Sequence, residues 1–221
     1  MRRARGYAAV TYWALVVFVA AWAGAWAQGN AGLSTDVGTP RKLAPRDQTE
    51  PKEQKKVRIN HADTAASSGG SFQIAAGAAI DYASGTHNFS NMSGSGTGIL
   101  RLSGGAINYA GASGMGYLEL TGGTLNVNAG ATVSTPDLTF SGGTLAGTGQ
   151  LSLTGEGNWS GGVLSGNLRV ASGGTLYLNG AGSKYLSSGA VLTNQGNVVW
   201  TAGTLDKTGS GTATFTNASG A

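Results

Sequence analysis

Leu120-Thr-Gly-Gly-Thr-Leu125 is the stretch on which the fold turns. Its six positions recur as Leu102-Ser-Gly-Gly-Ala-Ile107, Phe140-Ser-Gly-Gly-Thr-Leu145 and Trp159-Ser-Gly-Gly-Val-Leu164. Two further copies are Ala171-Ser-Gly-Gly-Thr-Leu176 and Trp200-Thr-Ala-Gly-Thr-Leu205, the last with Ala202 in place of the first glycine. The first-glycine position falls at residues 104, 122, 142, 161, 173 and 202. The steps are 18, 20, 19, 12 and 29 residues, and the last two together span nearly two periods. Self-similarity at a fixed period marks a repeat architecture.

The flanks of each copy alternate. Leu100 and Leu102, then Ile107 and Tyr109, are separated by polar or small residues, as are Leu118, Leu120, Leu125 and Val127. Leu168 and Val170 with Leu176 and Leu178 repeat the pattern. A period of two over four to six residues predicts half-buried strands. The Gly-Gly between them predicts a turn that needs positive φ or has no room for a Cβ. From residue 68 onward no window sustains a helical period.

Strands joined by tight turns at a period near 20 predict an all-β fold, a parallel β-helix (β-solenoid) of about 7–8 coils. A single coil cannot bury its own apolar side, whereas coils stacked about 4.8 Å apart share one core. Like positions should then form columns. Leu102, Leu120, Phe140, Trp159 and Trp200 are expected in one internal column. Ile107, Leu125, Leu145, Leu164, Leu176 and Leu205 are expected in a second. Arg101 and Glu119 each stand three residues before their first glycine, so they are expected as an exposed ion pair on one outer face.

Composition narrows the function classes. The 221 residues include 39 Gly and no Cys, and only 11% are charged, against roughly 25% in an ordinary soluble domain. Without cysteine there is no disulfide scaffold, thiolate metal site, cysteine nucleophile or lipidated cysteine. Residues 1–63 hold ten of the 14 Lys+Arg, and residues 64–221 have four cations against five carboxylates. A nucleic-acid surface needs a basic face, and these scattered cations do not make one.

The N-terminus reads as an export signal, residues 1–27. Arg2, Arg3 and Arg5 precede an uncharged run from Ala8 to Ala27, and Ala25-Trp26-Ala27 gives the small-x-small cleavage pattern before Gln28. No membrane span is expected after cleavage. Residues 28–67 contain Pro40, Pro45 and Pro51 and mixed charge with few apolar residues, and read as a disordered linker with a short helix considered around Glu50 to Val57. Its cations Lys52, Lys55, Lys56 and Arg58 could touch an anionic surface. The repeats then occupy residues 68–221. The terminal Phe215-Thr-Asn217-Ala-Ser-Gly-Ala221 reads as a coil interrupted midway, as in a truncated chain.

The repeat region resembles large bacterial surface exoproteins. The resemblance rests on the Ser-Gly-Gly-Thr-Leu copies, Phe72-Gln-Ile-Ala-Ala-Gly-Ala-Ala-Ile-Asp-Tyr-Ala-Ser-Gly-Thr-His87 and Leu192-Thr-Asn-Gln-Gly-Asn-Val198. These are similar to the passenger β-helices of autotransporter and filamentous-haemagglutinin-like adhesins. The resemblance implies a secreted or surface-attached β-helix of a Gram-negative bacterium, used as a stalk or in adhesion. Its implied partners are glycans, host or abiotic surfaces, or further copies of the chain.

Chemistry-bearing residues are sparse in the repeat region. No Gly-Gly is followed by the Gly-x-Asp of calcium-binding repeats, and Gly94, Gly96 and Gly98 lack a phosphate-binding Lys-Ser/Thr. His61 and His87 are 26 residues apart, and His87 is expected at a turn or on the surface. The enzyme alternative is a β-helical polysaccharide lyase or hydrolase, which needs carboxylates converging on one outer face. The carboxylates on offer are Asp81, Glu119, Asp137, Glu156 and Asp206, with Glu119 and Asp137 on successive coils but in different columns, and Asp137 in a turn after Pro136. Trp159 and Trp200 could stack on sugars, and their register with Leu102 and Leu120 favours the core instead. No catalytic, cofactor or metal site is assigned. The expected role is a non-catalytic structural or adhesive one, with a carbohydrate-binding module as the alternative.

Overall fold

The structure is a computed structural model and describes residues 56–218. The signal sequence and most of the linker lie outside these residues. Among the described residues there are twenty strands and no helix. Nearly all strand pairing is to the neighbouring coil, and every pairing is parallel. The chain forms a β-solenoid of eight coils. Each coil contributes one strand to each of three faces, here called A, B and C; on face C, Ser71–Gln73 and Ser93–Ser95 pair apart from the ladder that starts at Ala112–Gly114.

Face A runs through Ala79–Tyr82, Ile99–Leu102, Tyr117–Leu120, Asp137–Phe140, Glu156–Trp159, Thr175–Leu178 and Asn197–Trp200. Its inward columns are Ile80, Leu100, Leu118, Leu138, Gly157, Leu176, Val198 and Tyr82, Leu102, Leu120, Phe140, Trp159, Leu178, Trp200. The expected first column is therefore present, with Leu178 inserted between Trp159 and Trp200. Phe140 and Trp159 stack with ring centroids 5.3 Å apart and planes 8° from parallel. Face B carries the inward column His87, Ile107, Leu125, Leu145, Leu164, Leu186 and Lys207. Face C carries Val133, Leu151, Leu168, Leu192 and Phe215. These columns join into one continuous core.

Leu176 and Leu205 do not belong to the face B column. Leu176 stands over Gly157 on face A, and Leu205 is in register with Lys184. The reason lies in the turns. Between faces A and B the two glycines have separate duties. A Cβ on the first would clash with the carbonyl of the coil below, Ala83 O at Gly104, Ser103 O at Gly122 and Thr121 O at Gly142. The second takes a positive φ, 64° at Gly123 and 70° at Gly143.

The 171–176 copy has the same letters in a different corner. There Gly173 has φ 82° with open space around it, and Gly174 N–H donates to Ala171 O at 2.9 Å. This is a type II turn, with the left-handed glycine at its third position. Three more such turns close with Ala78 N–H to Ala75 O, Ala131 N–H to Asn128 O and Ala190 N–H to Ser187 O. They lead into a face A or a face C strand, so Ala171–Leu176 is a member of this second set.

The first strand, Lys56–Ser68, lies largely within the stretch read as linker and pairs with Ala79–Ser90. Of the short helix considered at residues 50–57, Lys56 and Val57 are strand, and the rest lies outside the described residues. The linker sequence is poor in apolar residues, and the strand is held by ladder bonds to the next coil.

The two glycine duties predict a ranking. Gly122→Ala, against a fixed backbone carbonyl, and Gly123→Ala, strained and crowded together, should each cost at least about 2 kcal/mol. Gly173→Ala, strained only in φ, should cost about 1 kcal/mol. Urea unfolding of the three variants checks the order.

Candidate functional site

Face A gathers most of the chemistry. Its outward positions form two columns, Ile99, Tyr117, Asp137, Glu156, Thr175, Asn197 and Asp81, Arg101, Glu119, Thr139, Asn158, Tyr177, Val199. The parity of the strands puts these side chains outside because their neighbours fill the core.

The expected ion pair is present. Arg101 NH2 and Nε each lie 2.7 Å from Glu119 Oε2. The two side chains are 25% and 16% exposed, so the pair is half-buried rather than fully exposed. At such a site it contributes at most about 1 kcal/mol. Below it Asp81 is buried and accepts a 2.6 Å hydrogen bond from Ser103 Oγ. Asp81 is therefore part of the packed stack and is not open to a substrate.

Asp137 is not in a turn. Pro136 interrupts the register in the long strand Thr132–Phe140, and pairing resumes with Asp137. Asp137 and Glu119 stand on successive coils in different columns, as the spacing predicted. Glu156 is the closer neighbour of Asp137, since the two are register partners and both are exposed. Both stand five residues before the first glycine of their copies, Gly142 and Gly161, so the spacing that sets Glu119 and Asp137 apart also places this pair in one column. Tyr117 flanks the two carboxylates and shares a 2.6 Å hydrogen bond with Thr139 Oγ1. No group of three His, Asp or Glu able to hold a metal occurs among the described residues.

His87 is inside, not on the surface. It occupies the face B column, edge-on to Tyr82 at 4.6 Å, with Nε2 3.1 Å from Ser84 O. His61 lies outside the residues whose side chains are described. Trp159 is fully buried and donates from Nε1 to Gly161 O at 2.9 Å. Trp200 is 56% exposed, because no coil covers it among the described residues.

Sequence reasoning missed Lys184. It reads as a scattered surface cation, yet its relative exposure is 0%. Its ammonium lies 3.3, 3.2 and 3.2 Å from the carbonyls of Gly180, Gly182 and Ala202. These acceptors come from two turns of successive coils, where glycine leaves the carbonyls uncovered. Lys184 thus closes a corner that the short Gly-Gly turn does not fill.

A concavity of about 470 Å³ opens at the last coil between Leu178, Asn194, Asn197, Val198, Trp200, Phe215 and Asn217. Asn194 is buried and donates to Asn217 Oδ1 at 2.6 Å. Asn88, Asn108 and Asn126 form a comparable run on the outside of face B, linked at 2.8 and 3.1 Å.

Compared with known proteins, the chain matches no family, no curated sequence and no solved structure. The class defined by the fold is a β-helix repeat protein.

Two tests follow from the buried polar groups. Lys184→Ala leaves three carbonyls unpartnered and a cavity, and should cost about 3 kcal/mol in urea unfolding. Burial also pushes the Tyr82 phenol up to about 12. It holds Tyr109 well above the usual phenol value, with the Tyr82 charge adding to the effect. Both folded-state values are raised, so this stabilisation is complete below the ordinary phenol pKa of about 10 and is lost as pH rises toward 12. Tyr82→Phe with Tyr109→Phe should flatten that alkaline loss in thermal melts at pH 8 to 12. Tyr109 Oη is buried without a partner, so Tyr109→Phe alone should gain about 1 kcal/mol at pH 7.

Proposed function

We propose that this chain is an exported, non-catalytic rod of a bacterial surface, serving as a stalk or adhesive element. One observation carries the reading. The solenoid presents the same small polar residue types outward from coil to coil, as in the linked Asn88, Asn108 and Asn126 and the paired Thr124 and Thr144. Such a surface offers many weak, equivalent contacts about 4.8 Å apart, which suits multivalent attachment to glycans or surfaces. The positive n-region, apolar run and Ala25-Trp26-Ala27 support export. The resemblance to autotransporter passengers and filamentous-haemagglutinin-like adhesins agrees with that setting.

A carbohydrate-binding module is the second reading, favoured by the two exposed aromatic rings beside Asn194, Asn197 and Asn217 at the last coil. A lyase or hydrolase would have to work through Asp137 and Glu156, exposed side by side on face A.

The full chain expressed in a Gram-negative host should be recovered outside the cytoplasm with Gln28 as its first residue by N-terminal sequencing. Retention in the cytoplasm with residues 1–27 intact would overturn the exported-rod reading.

A further inference from the structure

The last coil, Asn197–Trp200, Thr204–Lys207 and Thr214–Asn217, has ladder partners on one side only among the described residues. Among the described residues its three strands therefore present unpaired N–H and C=O groups in one plane. An edge of this kind accepts another strand layer. The residues inside it are left open as well. Trp200 is 56% exposed and Phe215 47%, although both stand in inward columns whose earlier members are buried. A covering layer must satisfy strand hydrogen bonds on three faces at once and place apolar residues over Val198, Trp200 and Phe215.

The chain's own first coil meets that specification. Lys56–Ser68 and Ser71–Gln73 likewise have ladder partners on one side only among the described residues. Val57 and Ile59 are in register with Ile80 and Tyr82, the heads of the two face A columns that end at Val198 and Trp200. Phe72, in the same first coil, is partly buried against the core. Apolar residues thus stand at both ends of the two face A columns, at the lateral spacing that the solenoid itself imposes.

We propose that the last coil is a docking surface for the first coil of a second copy, so that chains associate head to tail and continue the three ladders. The contact is heterologous. It does not close on itself and yields filaments whose length grows with concentration. The inference is independent of export, and it goes beyond the rod reading by assigning a partner and a polarity.

The full chain is tested by light scattering and electron microscopy across a concentration series. Wild type should form rods in whole multiples of the protomer length. Trp200→Lys with Phe215→Lys should abolish association. Tyr185→Lys should leave it unchanged, since Tyr185 is 37% exposed but lies on the outer side of face B. Residues 1–27 are present in every variant, so any association they cause is common to all. Because the chain has no cysteine, polarity is read separately. Gln73→Cys mixed with Thr216→Cys, both exposed and outside the core, should cross-link into mixed dimers at least tenfold faster than Thr216→Cys alone. A chain that stays monomeric at all concentrations would overturn the proposal. So would association lost equally in Tyr185→Lys, cross-linking of Thr216→Cys with itself at the mixed rate, or an oligosaccharide occupying the Trp200 and Phe215 end of a monomer.

Discussion

The close approach of backbone to backbone at the first glycine of the Gly-Gly corners between faces A and B is the constraint on which the structure rests. At Gly104, Gly122 and Gly142 the carbonyl of the coil below occupies the place of a Cβ. Parallel pairing sets strands about 4.8 Å apart, and a corner can follow that spacing only if its own backbone packs as tightly as the strands do. Glycine allows this, and at Gly123 and Gly143 the second glycine then reverses the chain with a positive φ. Once the corners stack, every side chain is assigned to a column. The core, the outer faces and the open end all follow from that assignment.

Columns explain what the polar residues do. A side chain at an inward position must be apolar or must find its partners within the stack. His87 packs on Tyr82 and meets the Ser84 carbonyl, and Lys184 is met by three glycine-turn and alanine carbonyls. Outward residues pair with the coil above or below, as Arg101 does with Glu119 and Asn108 with Asn88.

Much of this was legible in the sequence because the period is short and the turn letters are few. The parallel solenoid, the Leu102 to Trp159 column and the Arg101–Glu119 pair follow from spacing alone. Leu176 and Leu205 escaped the reading for physical reasons. Gly-Gly serves two turn geometries, one limited by close approach and one by a type II turn, and letters do not tell them apart. The coil holding Lys184 has longer corners, which shift Leu205 out of its expected column. Asp137 beside Glu156 was legible as well, since each stands five residues before its first glycine, but the sequence reading set Asp137 only against Glu119. Lys184 was hidden because one of its carbonyl partners, Ala202, lies 18 residues away in the turn of the next coil.

The central claim is that residues one period apart lie directly above one another. Thr132 and Thr214 are outward, exposed positions at the two ends of a run of face C register partners, through Gln150, Asn167 and Val191. They are separated by 82 residues in sequence and by four coils in the stack. Spin labels on Thr132→Cys and Thr214→Cys, in a chain with no other cysteine, should give one narrow distance near 19 Å plus the label tethers. A broad distribution, or one centred beyond about 40 Å, would contradict the stacked solenoid.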